Sequence, residues 1–147
     1  MTQSQSEKEI EMTQQEKLVF ASPEWVELGR KVLEELVAKH GEEGQKFSIC
    51  EVFTGAPEAI ADVDGAAAWY FYVDGKTARV DRGQIDDAEI RIEADWQKTL
   101  PAARAVIEPG QAPPAGLGDP DRSQTGDMSA LPPWLLELHN RLAVQTA

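Results

Sequence analysis

Apolar positions along this chain follow two periods. From residue 22 to 41 they recur every three or four residues, at Trp25, Leu28, Gly29, Val32, Leu33, Leu36 and Val37. Glu24, Glu27, Arg30, Lys31, Glu34, Glu35 and Lys39 fill the opposite face, the pattern of an amphipathic helix. Its start is marked by Ser22, whose hydroxyl can accept from an orphan N–H, by Pro23 at the first position and by Glu24 near the positive end of the dipole. Gly41 stops it after Lys39 and His40. The stretch before it, residues 1–20, reads as a flexible polar tail with at most a frayed helix over about Ile10 to Phe20. One domain is expected over residues 21–147.

From Phe47 the period shortens to two. Phe47, Ile49 and Phe53 share one face of a strand that ends at Gly55-Ala56-Pro57. Trp69, Phe71 and Val73 alternate with Ala68, Tyr70 and Tyr72 in a second strand. Asp74-Gly75 then supplies the positive-φ pair of a two-residue hairpin, and Thr77 to Asp81 returns as a third strand. Ala88, Ile90, Ile92 and Ala94 alternate with Glu89, Arg91 and Glu93, as in a half-buried antiparallel strand. Asp95 caps a helix through Trp96 and Leu100, which Pro101 interrupts or restarts, and Ala102–Ile107 is weakly helical. Pro109 to Arg122 is a loop rich in Pro and Gly, and Gln124 to Ser129 reads as a short, ambiguous strand. Leu131, Trp134, Leu135, Leu138 and Leu142 mark a last amphipathic helix entered through Pro132-Pro133. Strands clustered between helices indicate an α+β fold, an antiparallel-rich sheet with helices on one face.

Charge and composition narrow the function. The 147 residues carry 14 Lys and Arg against 26 Asp and Glu, a net charge of −12, which repels phosphate backbones and disfavours nucleic-acid partners. No run approaches the ~20 apolar residues that span a bilayer, so no stable membrane insertion is expected. The polar, acidic N-terminus is unlike a secretory signal, so the chain reads as cytoplasmic. A single cysteine, Cys50, excludes an internal disulfide or a cysteine-built zinc site and reads as a small core residue. His40 suits a helix C-terminus, and His139 borders the last helix's apolar stripe, where it edges the stripe or lines a cavity. Asp119 to Gln124 begins like a calcium loop but lacks its glycine and closing Glu, and Gly116-Leu117-Gly118 lacks the strand and helix of a phosphate cradle. No cofactor or metal is expected.

One carboxylate stands out. Glu51 alternates with Phe47, Ile49 and Phe53, so regular pairing puts it on an apolar face, where desolvation would raise its pKa. A bulge or a strand end reaching solvent would relieve this. Tyr70 and Tyr72 either cover the outer face with their hydroxyls in water or meet a ligand or partner.

The stretch from Ala68 through Trp69-Tyr70-Phe71-Tyr72-Val73-Asp74-Gly75-Lys76, then Val80 and Asp87-Ala88-Glu89-Ile90-Arg91-Ile92, resembles the central hairpin and following strand of the sterol carrier protein type 2 family. Asp95 to Leu100 resembles the helix that follows, Gly126-Asp127 the close of the last strand, and the run after it the C-terminal helix; the likeness covers about residues 22 to 144. The chain departs from the family pattern in its long Pro-rich segment 109–122 and its polar Arg122–Thr125. Its Gln145-Thr146-Ala147 is unlike the peroxisomal signal of eukaryotic members. The resemblance implies a curved sheet of about five strands, helices over one face, and an apolar tunnel that carries a sterol, fatty acid or fatty acyl-CoA unchanged, with no catalytic residues.

The tunnel is then expected between Phe47, Ile49, Phe53, Trp69, Phe71, Ile90 and Ile92 of the sheet and Leu28, Val32, Leu100, Leu135 and Leu138 of the helices. Two other functions fit these residues. One is a small cone-type isomerase or cyclase using Glu51 as a buried base. The other is an accessory module that docks an acyl-CoA-processing enzyme through its acidic surface and the Tyr70/Tyr72 face.

Overall fold

A computed structural model describes residues 17–111 and 116–147. Helix α1 spans Pro23–His40, with the Ser22 hydroxyl accepting from the Trp25 N–H at 3.2 Å. Its buried face is Trp25, Val26, Gly29, Val32, Leu33, Leu36 and Val37. Strands β1 (Lys46–Thr54), β2 (Ala67–Asp74), β3 (Thr77–Arg82), β4 (Ile90–Asp95) and β5 (Ser123–Thr125) form one sheet in the order β3-β2-β1-β4-β5. Helix α2 (Trp96–Arg104) follows β4, and a short 3-10 turn at Met128–Ala130 leads to α3, Leu135–Ala143. The α+β architecture is therefore present, with helices over one sheet face.

Three expectations change in detail. The hairpin turn is Gly75-Lys76, one residue later than Asp74-Gly75. Only Gly75 has a positive φ, +59°, the pattern of a II′ turn, and Asp74 stays in β2 opposite Thr77. Strand β4 is antiparallel to β5 but parallel to β1. Alternation determines which face of a strand is buried and carries no information about the direction of its neighbour. Pro101 lies within α2 and does not break it. The carbonyl it leaves without a partner belongs to Gln97, an exposed residue that water can satisfy.

The start of the chain also differs. Of the predicted frayed helix, residues 10–16 lie outside the described residues, and residues 17–20 are not helical. Leu18 to Phe20, assigned to the tail, belong to the packed body. Leu18 N donates to the Gln145 carbonyl at 2.7 Å and Ala147 N to the Leu18 carbonyl at 2.8 Å, so the residues before α1 pair with those after α3. Phe20 is 2% exposed. It packs on Trp25, Phe53 and Trp96, with ring centroids 5.3, 4.5 and 5.9 Å apart. A short apolar run among polar residues has no period, so nothing local marked it as core.

The register puts Phe47, Ile49, Glu51 and Phe53 of β1 on the face that carries Ala67, Trp69, Phe71 and Val73 of β2 and Ile90, Ile92 and Ala94 of β4. This inner face meets the helices. The outer face is covered by the chain itself: Cys50, Val52, Ala66 and Ala68 are buried under Tyr70, Ile85 and Ala88. The loop between β3 and β4 is pinned there by Glu89 N to Ser48 Oγ (2.8 Å), Arg91 to the Ile85 carbonyl (3.2 Å) and Tyr72 Oη to Asp87 (2.7 Å). The second aromatic face thus meets a loop of its own chain.

Helix α3 holds the segment after α2. Asn140 Nδ2 donates to the Ile107 carbonyl and Asn140 Oδ1 accepts from Ile107 N, both at 2.8 Å. Helix α2 ends at Arg104, so residues 105–107 are not helical. Replacing Asn140 by Ala removes both bonds and strands a partly buried amide pair, an expected cost of about 2 kcal/mol. Denaturant unfolding of Asn140→Ala measures it, and a loss within 0.5 kcal/mol of zero (about the scatter of surface substitutions) would contradict the clamp.

Candidate functional site

A cavity of about 600 Å³ lies between the inner sheet face and the helices. Ile49, Glu51 and Phe53 of β1, Trp69 and Phe71 of β2 and Ile92 of β4 form its floor. Thr99, Ala102 and Ala103 of α2 make one wall, and Leu135, Leu136, Leu138, His139 and Leu142 of α3 another. Phe20 and Trp25 close one end, and Leu131, Pro132 and Pro133 join the α3 wall. Pro109, Gly110, Arg122 and Met128 line it while exposed to solvent, and so mark its open side.

The sequence explains why this space is not filled. None of the residues of α2 is fully buried, and those it turns to the cavity are Thr and Ala. Small side chains on a helix held off the sheet leave a gap that Leu or Phe would close. Gly29 has the opposite effect beneath α1. A Cβ there would lie 3.0 Å from the Trp69 ring, so glycine lets that ring reach under the helix into the floor.

Of the expected ligand contacts, Ile49, Phe53, Trp69, Phe71, Ile92, Leu135 and Leu138 line the cavity. Val32, Phe47 and Ile90 are buried in the continuous core, and Leu28 and Leu100 pack half-buried against it; these five do not line the cavity. They share the right faces but lie where helix and sheet are in contact. Sequence reasoning missed Phe20, Trp25, Ala102, Ala103 and the 131–133 run, whose places depend on packing between segments far apart in sequence. Trp25 could have been found, since it lies on the same apolar stripe as Val32.

Glu51 is on the apolar face, as the alternation predicts, and no bulge relieves it: β1 pairs continuously with β2 through this position. Its Oε1 accepts from Trp69 Nε1 at 2.8 Å, across the strand pair. Burial raises its pKa, while the Trp69 bond and the charge of Arg122 oppose the rise. The surface Glu51 retains faces the cavity. Oε2 has no hydrogen-bond partner among the described residues. His139 also lines the cavity, and its Nε2 donates to the Ala105 carbonyl at 2.8 Å. Among the described residues no group of three or more His, Cys, Asp or Glu converges as a metal site. None of their helices is long and apolar enough to cross a membrane.

No family model matches the chain, and no curated protein matches it. Among solved structures, a crystal structure of sterol carrier protein 2 is similar over 87% of this chain and 99% of that one, at 21% identity and a TM-score of 0.47. The solution structure of a conserved hypothetical protein from Thermus thermophilus, described as possibly sterol carrier protein, is similar over 86% and 91%, at 17% identity and a TM-score of 0.34.

The raised pKa of Glu51 has a consequence for stability. The folded state holds the Glu51 proton more tightly than the unfolded chain does. Stability is therefore undiminished below the unfolded value of about 4.3 and declines as pH rises through the folded one. Gln cannot ionise, yet its carbonyl can still accept from Trp69. The Tm of Glu51→Gln relative to the native chain should therefore increase between about pH 4 and pH 7. A difference that is flat or falls with pH would contradict a desolvated carboxyl.

Proposed function

We propose that this protein binds and carries a hydrophobic small molecule, of the lipid class, in the cavity between sheet and helices. The observation that carries the reading is the cavity itself. Its volume of about 600 Å³ falls within the ~300–1,000 Å³ of small-molecule sites. Its lining is aromatic and aliphatic, with few polar groups, the balance that suits an apolar ligand held by a few oriented contacts. The resemblance of the sequence to sterol carriers points to the same class, and sterols, fatty acids and fatty acyl-CoA are the members to test first. An acidic chain with one buried, unpaired cysteine suits a cytoplasmic carrier.

A second reading has its own observation: Glu51, with its pKa raised by burial, faces the same space and could remove a proton from a bound substrate. Such a reaction also needs a donor aimed at the developing oxyanion. His139 also stands on the lining, but its Nε2 is engaged by the Ala105 carbonyl. The carrier reading is therefore preferred.

Displacement of a fluorescent fatty acid and of a fluorescent sterol tests it. At least one should bind saturably at micromolar concentration and be recovered with unchanged mass. Ala103→Trp, which projects an indole into the gap from a half-buried position on α2, should weaken binding at least about tenfold while the protein stays folded. Failure of both probes to bind folded protein would contradict the carrier, and recovery of an altered ligand would favour the enzyme.

A further inference from the structure

Glu51 occupies an unusual place for a carboxylate. It lies on β1, the central strand, with Trp69 of β2 on one side and Ile92 of β4 on the other, in the middle of the cavity floor. The cation nearest in effect, Arg122, is exposed at the open side and already engages Gln124 at 2.5 Å. Trp69 satisfies Oε1, whereas Oε2 has no partner among the described residues. An apolar cavity thus contains, at its floor, one acceptor oriented by an indole and unused on its other side. Oε2 opens onto the cavity, so a molecule that fills this space must supply a donor there or leave the carboxylate cut off from water and unpaired. A ligand carboxylate at this point would set two like charges together in an apolar space, or force the pair to share a proton.

We propose that Glu51 is the polar anchor of the carried ligand, selecting amphiphiles whose inner end donates a hydrogen bond, a hydroxyl or a protonated amine, over those whose inner end is a carboxylate. This rests on the carrier reading and gives it a chemical preference. The Trp69 bond makes the anchor directional: with Oε1 held, Oε2 has a fixed place to meet the ligand's donor. The apolar walls of α2 and α3 then enclose the chain or rings, and Arg122 remains at the rim, outside the anchoring contact.

Binding of a straight-chain primary alcohol, amine and carboxylate of equal length to the full chain tests this. Each is used as a monomer in solution and followed by calorimetry at neutral pH. The alcohol and the amine should each bind about tenfold more tightly than the carboxylate. Their order distinguishes the sources: an amine ahead of the alcohol identifies a cationic head, the reverse a neutral one. Glu51→Gln keeps an acceptor for Trp69 but removes the charge, and should narrow the amine-to-carboxylate ratio to less than about threefold. A carboxylate that binds the native protein as tightly as the other two overturns the anchor and leaves the carrier standing. The native ladder decides this even if the variant does not fold. No binding by any of the three overturns both.

Discussion

The hydrogen bond from the Trp69 indole to Glu51 holds the one carboxyl group on the cavity floor. It lies across the β1–β2 pair on the inner face, where the other floor residues are apolar. A carboxyl group can remain at such a position only with a polar partner and with somewhere for its second oxygen to turn. Trp69 is the partner, and the cavity is the space. Trp69 can serve both because Gly29 leaves room for its ring, which Trp25 and Phe71 flank at 5.0 and 5.2 Å.

The rest of the fold holds that space open. α1 closes one part of the inner face with large buried residues. α2 approaches the other with Thr and Ala, and none of its residues is fully buried. α3 completes the wall and fixes the segment after α2 through His139 and Asn140. The segments flanking α1 and α3 contribute as well: Leu18 pairs beside Thr146, and Trp25 Nε1 donates to the Thr146 hydroxyl at 3.1 Å. The outer face takes no part in the cavity because the β3–β4 loop covers it.

Much of this was legible locally. The cap, the stripe and the stop of α1 are all written within twenty consecutive residues. The same alternation that identifies β1 puts Glu51 among its apolar neighbours, and the structure keeps it there. What was not legible depends on distance along the chain. Phe20 has no period and gains its place from Phe53 and Trp96. The parallel pairing of β4 with β1 follows from where the β3–β4 loop crosses the sheet. Val32, Phe47 and Ile90 share faces with the cavity residues and differ from them only in how closely a helix lies above them. That clearance is a property of packing, which no residue pattern encodes by itself. The polar face of α1, by contrast, was fully legible: Glu27, Glu34 and Glu35 lie exposed where its stripe puts them.

The central claim is that the space above Glu51 and Trp69 receives a ligand. The indole N–H resonance of Trp69 reports on it directly, because that proton lies in the bond to Glu51 on the floor. Trp96, whose indole donates to the Phe20 carbonyl at 2.9 Å, does not line the cavity and serves as an internal reference. Titration with a long-chain alcohol should move the Trp69 resonance saturably and leave that of Trp96 nearly in place. A Trp69 resonance that stays fixed while the alcohol binds elsewhere, or does not bind at all, would contradict the account.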